Sequence, residues 1–155
     1  MESASSTVPI PAPALWLGAS GAVPFVTLAV ASLTVDSASQ APVIVALGFY
    51  GAVILSFLGG VQWGLAIKDH EAAGASFNRL GLSVVPSLIA WLALLLPALA
   101  GLPLLAVAFI AAYVGDRRAG QRGLAPAWYP RLRLPLTVVV VASLLAASVS
   151  LAWAI

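Results

Sequence analysis

The sequence predicts an all-α fold: a polytopic membrane helix bundle of five transmembrane helices in a single domain, 1–155, with the N-terminus inside and the C-terminus outside. Three observations carry that reading. Hydrophobic residues make up 62% of the chain and charged residues only 8%, whereas a water-solvated domain carries about 25% charged residues. Most of the surface must therefore meet something other than water. The charges are also segregated: residues 3–35, 37–67, 80–115 and 134–155 contain none, and about 20 apolar residues suffice to cross the hydrocarbon core. Finally, a five-span layout puts all seven Lys and Arg residues on one side, the side that the positive-inside rule assigns to the cytoplasm.

The elements follow in order. The first span covers residues 14–35, with Pro24 inside it as a kink that a neighbouring helix or a hydroxyl such as Ser20 can compensate. Residues 36–42, from Asp36 to Pro42, read as a loop. The second span, 43–67, is the longest unbroken helical stretch, ended by Lys68, Asp69, His70 and Glu71. The uncharged run 80–115 would measure about 54 Å as one helix against a hydrocarbon core of about 30 Å. Pro97, Gly101 and Pro103 at its midpoint predict a turn, dividing it into spans 80–96 and 102–114. Both pieces are short, so a re-entrant hairpin is the alternative. Residues 116–133 read as a basic loop, with Trp128 and Tyr129 at headgroup level, and the fifth span covers 134–155 with Pro135 in its first turn.

The pI near 9.5 does not indicate nucleic acid. Five of the seven basic residues, Arg117, Arg118, Arg122, Arg131 and Arg133, lie in the single segment between two apolar runs, where basic residues orient a membrane protein and touch anionic lipid. The absence of cysteine excludes disulfides and thiolate chemistry. Glu2 and the prolines at 9, 11 and 13 argue against a cleavable leader, so the first span is expected to persist.

The second span carries Gly48, Ala52, Ser56, Gly60 and Gly64 at strict four-residue intervals, with Gly59 alongside. Lipid does not drive helices together as water does, so close backbone approach through small residues must supply the contact. This ridge predicts a helix-packing seam, first against another span of the same chain and second against a partner or a second copy. It makes Gly60→Leu costly and Leu58→Phe, assigned to the lipid side, nearly silent. Gln62 lies inside the same span and calls for an interhelical hydrogen-bond partner. Tyr50 and Trp63 read as packing or interfacial aromatics.

No catalytic constellation emerges. His70, between Asp69 and Glu71, lacks the i, i+3 or i, i+4 spacing of a helical metal site, and Asp116 reads as a juxtamembrane partner of Arg117 and Arg118. The expected spans hold no ionisable side chain of the kind proton-coupled transporters use. Ser56, Ser83 and Ser87 have no intramembrane base. No catalytic residue, metal ligand or cofactor is expected.

The run Tyr50-Gly51-Ala52-Val53-Ile54-Leu55-Ser56-Phe57-Leu58-Gly59-Gly60-Val61-Gln62-Trp63-Gly64 resembles the signature of the family called domain of unknown function 3429, the transmembrane protein 69-like family. Further similarity runs through Leu17 to Phe25, Pro86 to Trp91, and Trp128 to Thr137. The resemblance implies a small multi-pass protein of bacterial inner membranes, with relatives in mitochondria and no established activity. It also implies His in many relatives where this chain has Gln62, and a glutamine amide is a poor metal or haem ligand. The expected function is a non-enzymatic packing, accessory or assembly subunit of a membrane complex; the alternative is a small-solute channel or transporter formed by oligomerisation. Expected partners are the lipid bilayer and another membrane protein or a second copy, with no nucleic acid.

Overall fold

The computed structural model describes residues 8–68 and 77–153. These form five α-helices: α1 Ala12–Thr34, α2 Ser37–Lys68, α3 Phe77–Leu95, α4 Ala98–Gln121 and α5 Tyr129–Trp153. Four of them are long and apolar enough to cross a membrane, while α3 contributes the shorter apolar stretch Arg79–Leu95. Asp69, His70 and Glu71, which were expected to end the second span in water, lie outside the described residues.

The helices begin and end elsewhere than the charge pattern suggests, and at the start of α2 and the end of α4 a capping interaction explains the difference. The expected loop 36–42 shrinks to Val35 and Asp36. Asp36 Oδ1 accepts the Ser39 amide at 2.8 Å, a side-chain cap that starts α2 six residues early. These Ser39 hydrogen bonds hold the Asp36 carboxyl below its ordinary value of 3.8. Pro42 is accommodated inside the helix, where it removes one hydrogen bond near an end.

The run 80–115 does divide, but at Leu96–Pro97, and Pro103 is helical. Gly101 lies in the first turn of α4, where a Cβ would strike the Ala93 carbonyl; only glycine lets α3 and α4 close so tightly. At its other end α4 runs on past residue 114 to Gln121. Its stop is built from Leu124 N–H donating to Ala119 O at 2.9 Å and Gly123 N–H to Gly120 O at 3.1 Å, with Gly123 at φ +71°. That pair of bonds around a left-handed glycine is a Schellman termination. Since α5 already starts at Tyr129, the expected basic loop 116–133 contracts to 122–128. Asp116, Arg131 and Arg133 are thus helical residues.

Successive helices alternate in direction. α2 is central and touches all four others, α3 most extensively, and α1 closes the ring against α5. Phe25, Leu47, Leu55, Leu105, Phe109 and Leu144 are almost wholly buried and fill the axis. Phe25 meets the edges of Tyr50 at 4.9 Å and Phe109 at 5.9 Å between ring centroids. The Tyr50 hydroxyl donates to Gly21 O at 2.9 Å, one residue from Ser20, the carbonyl that the Pro24 ring crowds. The Gly21 carbonyl, in the turn before Pro24, thus serves α2 as an acceptor, whereas Ser20 bonds Leu17 O within its own helix.

Exposed apolar side chains, among them Trp16, Leu17, Phe57, Leu82, Val138 and Trp153, cover the outside, as a lipid-facing surface requires. The tryptophans fall near both ends: Trp16, Trp63 and Trp128 at one, Trp91 and Trp153 at the other. Trp128 and Trp153 are separated by about 37 Å at helical rise. All seven Lys and Arg residues lie at the first end.

Candidate functional site

The basic end holds a polar knot that joins three helices. From α5, Arg133 Nε donates to Asp116 Oδ2 of α4 at 2.8 Å. From α2, Gln62 Nε2 donates to the other carboxylate oxygen, Oδ1. Helical rise places the three residues at one level, about 6 to 9 Å inside the ends of their helices. Asp116 is 1% exposed and Arg133 6%, so neither charge is solvated from outside and each depends on the other. Tyr129, Arg133 and Thr137 recur every four residues and so share one stripe of α5. Their Oη, Nη2 and Oγ1 atoms are buried and lack a hydrogen-bond partner among the described residues.

Asp116 was expected to pair with Arg117 and Arg118 at the membrane surface; its partner is Arg133. The physical reason is the length of α4 and α5. With both helices continuing past the expected boundaries, Asp116 and Arg133 turn inward on facing helices, while neighbours one step along α4 turn outward. A carboxylate and a guanidinium separated by seventeen residues across a short basic loop are the signal that could have found the pair.

Beside the knot, a cavity of about 420 Å³ lies between α2, α3 and α4. α4 makes the room with a stripe of small residues, Ala108, Ala111, Ala112, Gly115 and Ala119. Leu58, Ala66, Ser83 and Asp116 form a buried back wall, whereas the lining residues Leu82, Val85, Ala111 and Gly115 are exposed. The opening is therefore sideways, between α3 and α4. Polarity changes along its length. Ile89 and Ala108 line the deep end, Gln62 and Asp116 the middle, and Arg79, Arg118 and Arg122 the outer end.

The small residues of α2 divide between two faces. Gly59 is a true crossing point: a Cβ there would sit 2.5 Å from Ser83 O of α3. Gly48 faces Leu94 and Leu102, Ala52 is buried, and Ser56 lines a shallow apolar groove with Phe49, Val53, Ser87 and Trp91. Gly60 and Gly64 do not join this seam. Both are exposed, and among the described residues nothing lies within 4 Å of where a Cβ would stand. Leu58, expected to face lipid, is only 6% exposed. The correction is geometric: the in-chain seam follows Gly48, Gly51, Ala52, Leu55 and Gly59, a mixed three- and four-residue step that keeps to one face, while a strict four-residue step winds off it.

The remaining basic residues have separate tasks. Arg131 donates to Val8 O, tying the approach to α1 against α5. Arg117 is exposed and lies outside the cavity lining. Trp128 and Tyr129 pack edge to face with centroids 6.1 Å apart. At the opposite end, Gln40 Nε2 donates to Ser32 O at 3.0 Å and to Ser150 Oγ at 2.7 Å, and Ser150 Oγ donates to Ser32 O at 2.6 Å. That network closes α1, α2 and α5 together where no basic residue stands.

Comparison with known proteins agrees with the membrane character of the fold. The family model described as "Protein of unknown function (DUF3429)" matches residues 10–149. The curated relatives include Transmembrane protein 69 of Xenopus tropicalis, 41% identical over 86% of this chain and 53% of its own length. Transmembrane protein 69 of Mus musculus is 36% identical over 55% of this chain and 34% of its own length. The chain thus spans about half of the frog protein and a third of the mouse one. Both relatives are vertebrate proteins and do not point to the bacterial inner membrane that the resemblance implies. No solved structure matches the chain.

Proposed function

The chain belongs to the DUF3429 family, and we propose that it is a five-span, non-enzymatic accessory or assembly subunit of a membrane complex that receives a partner transmembrane helix on the outward face of α2. All seven Lys and Arg residues stand at one end, which faces the cytoplasm of a bacterial inner membrane, with the N-terminus inside and the C-terminus outside. α3 at 19 residues rises about 28 Å, enough to cross a core of about 30 Å with its flanks.

The observation that carries the proposal is the unused half of the small-residue ridge. Val53, Phe57, Gly60 and Gly64 recur at four- and three-residue steps, and all four are exposed. Two large side chains beside two bare glycines form a knob-and-hole surface. Glycine lowers helix stability and leaves a hollow that lipid tails fill poorly, whereas a second helix backbone fills it well. The channel reading has its own observation in the arginine-rimmed cavity. Against it, Leu55, Leu105, Phe109 and Leu144 are almost wholly buried along the axis, and none of them lines the cavity.

Native electrophoresis of solubilised membranes tests the proposal. The native chain should migrate well above its own 15.8 kDa, and Gly60→Leu with Gly64→Leu should release it without altering the melting of the purified protein. A chain that migrates alone in both forms refutes the subunit reading, and solute flux through vesicles holding only this protein would establish the channel instead. For orientation, cysteines at 121 and 38 should label from opposite sides. Gln121 is exposed at the end of α4, so a cysteine there meets the probe.

A further inference from the structure

The cavity between α2, α3 and α4 has the polarity profile of a lipid. At helical rise its lining spans about 15 Å along α3, from Arg79 to Ile89, and about 21 Å along α4, from Ala108 to Arg122. Guanidinium groups stand at the outer end, an amide and a carboxylate follow, and the rest is hydrocarbon. Its lips are exposed between α3 and α4 at the depth of the membrane, so whatever fills it enters from the bilayer rather than from water. Its volume, about 420 Å³, is in the range of about 300 to 1,000 Å³ typical of small-molecule sites.

We propose that this cavity holds one anionic phospholipid from the surrounding bilayer, its phosphodiester between Arg118 and Arg122 and one acyl chain along Leu82, Val85, Pro86 and Ile89. The charge balance selects the ligand. Asp116 is already matched by Arg133 inside the bundle, and among the described residues no carboxylate forms an ion pair with Arg118 or Arg122. Among the described residues Arg118 and Arg122 thus bring positive charge to the lipid-facing outer end, and basic pockets between transmembrane helices hold anionic head groups in this way. The short side chains of α4 are what leave space for the acyl chain. The proposal goes beyond the subunit reading and does not depend on it, because it concerns the opposite side of α2 and a single copy.

The test uses the purified chain, delipidated in neutral detergent, with phosphatidylglycerol or phosphatidylcholine added at equal concentration. Native mass spectrometry should retain one phosphatidylglycerol and no phosphatidylcholine, and melting should rise only with the former. Each guanidinium in contact with the phosphate contributes about fivefold in affinity, so Arg118→Gln with Arg122→Gln should weaken binding about twenty-five-fold. Arg117→Gln, the same charge change outside the cavity, should bind as the native chain does. Gly115→Leu fills the cavity without meeting a described atom within 4 Å of its Cβ; it should lose the adduct while keeping its lipid-free melting temperature. Ala111→Leu on the cavity lip provides the same test if that variant fails to fold. Equal retention of both lipids, equal loss for Arg117→Gln, or full affinity in a folded cavity-filling variant would each overturn the proposal.

Discussion

Removing Arg133 should be the most damaging single change in the protein, and removing Asp116 with it should repair much of the harm. At 2.8 Å the charges attract by about 6 kcal/mol at an effective dielectric of 20. Taking two ions out of water costs several kcal/mol each, so the intact pair contributes little net stability. The asymmetry appears when one partner goes. Arg133→Met leaves Asp116, 1% exposed, as an uncompensated buried carboxylate and should cost about 3 to 5 kcal/mol. Asp116→Leu with Arg133→Met replaces both charges by hydrocarbon and should recover all but about 1 kcal/mol, the residue being the Gln62 hydrogen bond lost with the carboxylate. Equilibrium unfolding of the detergent-solubilised single and double variants gives the coupling energy directly. Additive single effects, or an Arg133→Met variant as stable as the native chain, would refute the pairing and the inward placement of both side chains.

Three further predictions rest on separate contacts. Gly59→Leu must separate α2 from α3 at Ser83 O and should cost about 1 to 3 kcal/mol in melting or unfolding experiments, whereas Gly60→Leu, with open space before it, should leave the purified monomer unchanged. Tyr50→Phe keeps the ring against Phe25 and loses only the bond to Gly21 O, so it should cost about 1 kcal/mol by the same assay. The Asp36 cap should titrate: because its folded pKa lies below 3.8, the stabilisation is complete above that value and is lost as pH falls through the folded pKa. Amide-exchange protection of the first turn of α2 should fall in that acid range in the native chain and stay level in Asp36→Asn, which caps without titrating.

The membrane bundle was legible because it depends on composition and on the spacing of charges, both of which act over tens of residues. Element boundaries were less legible because they depend on single contacts. Pro42 and Pro103 look like helix breakers, yet each lies in the second turn of its helix, where it removes one hydrogen bond and leaves the turns that follow intact. What starts α2 is Asp36, a charge that hydropathy counts merely as the end of an apolar run. The close approach of α2 to another span was visible in its small residues. Its direction was not, since choosing between Gly59 and Gly60 requires knowing which neighbour stands opposite. Ser83 of α3 settles that, because its carbonyl stands opposite Gly59.

The knot stayed hidden for a more general reason. Reading spans as charge-free segments assumes that every charged residue marks water, so Asp116 and Arg133 became the edges of a loop by definition. The assumption fails wherever two opposite charges can neutralise one another inside the bundle. Extending α4 by seven residues and α5 by five brings the two onto facing helices, and the short connection 122–128 holds those helices antiparallel, so that residues equally far from the turn meet. Asp116 lies six residues before Arg122 and Arg133 five after Trp128. That near-equality is a register match, and with it an isolated acid in a basic segment becomes the expected partner of the arginine across the turn. Gln62 completes the site from α2 because a carboxylate bound through one oxygen still has the other to satisfy.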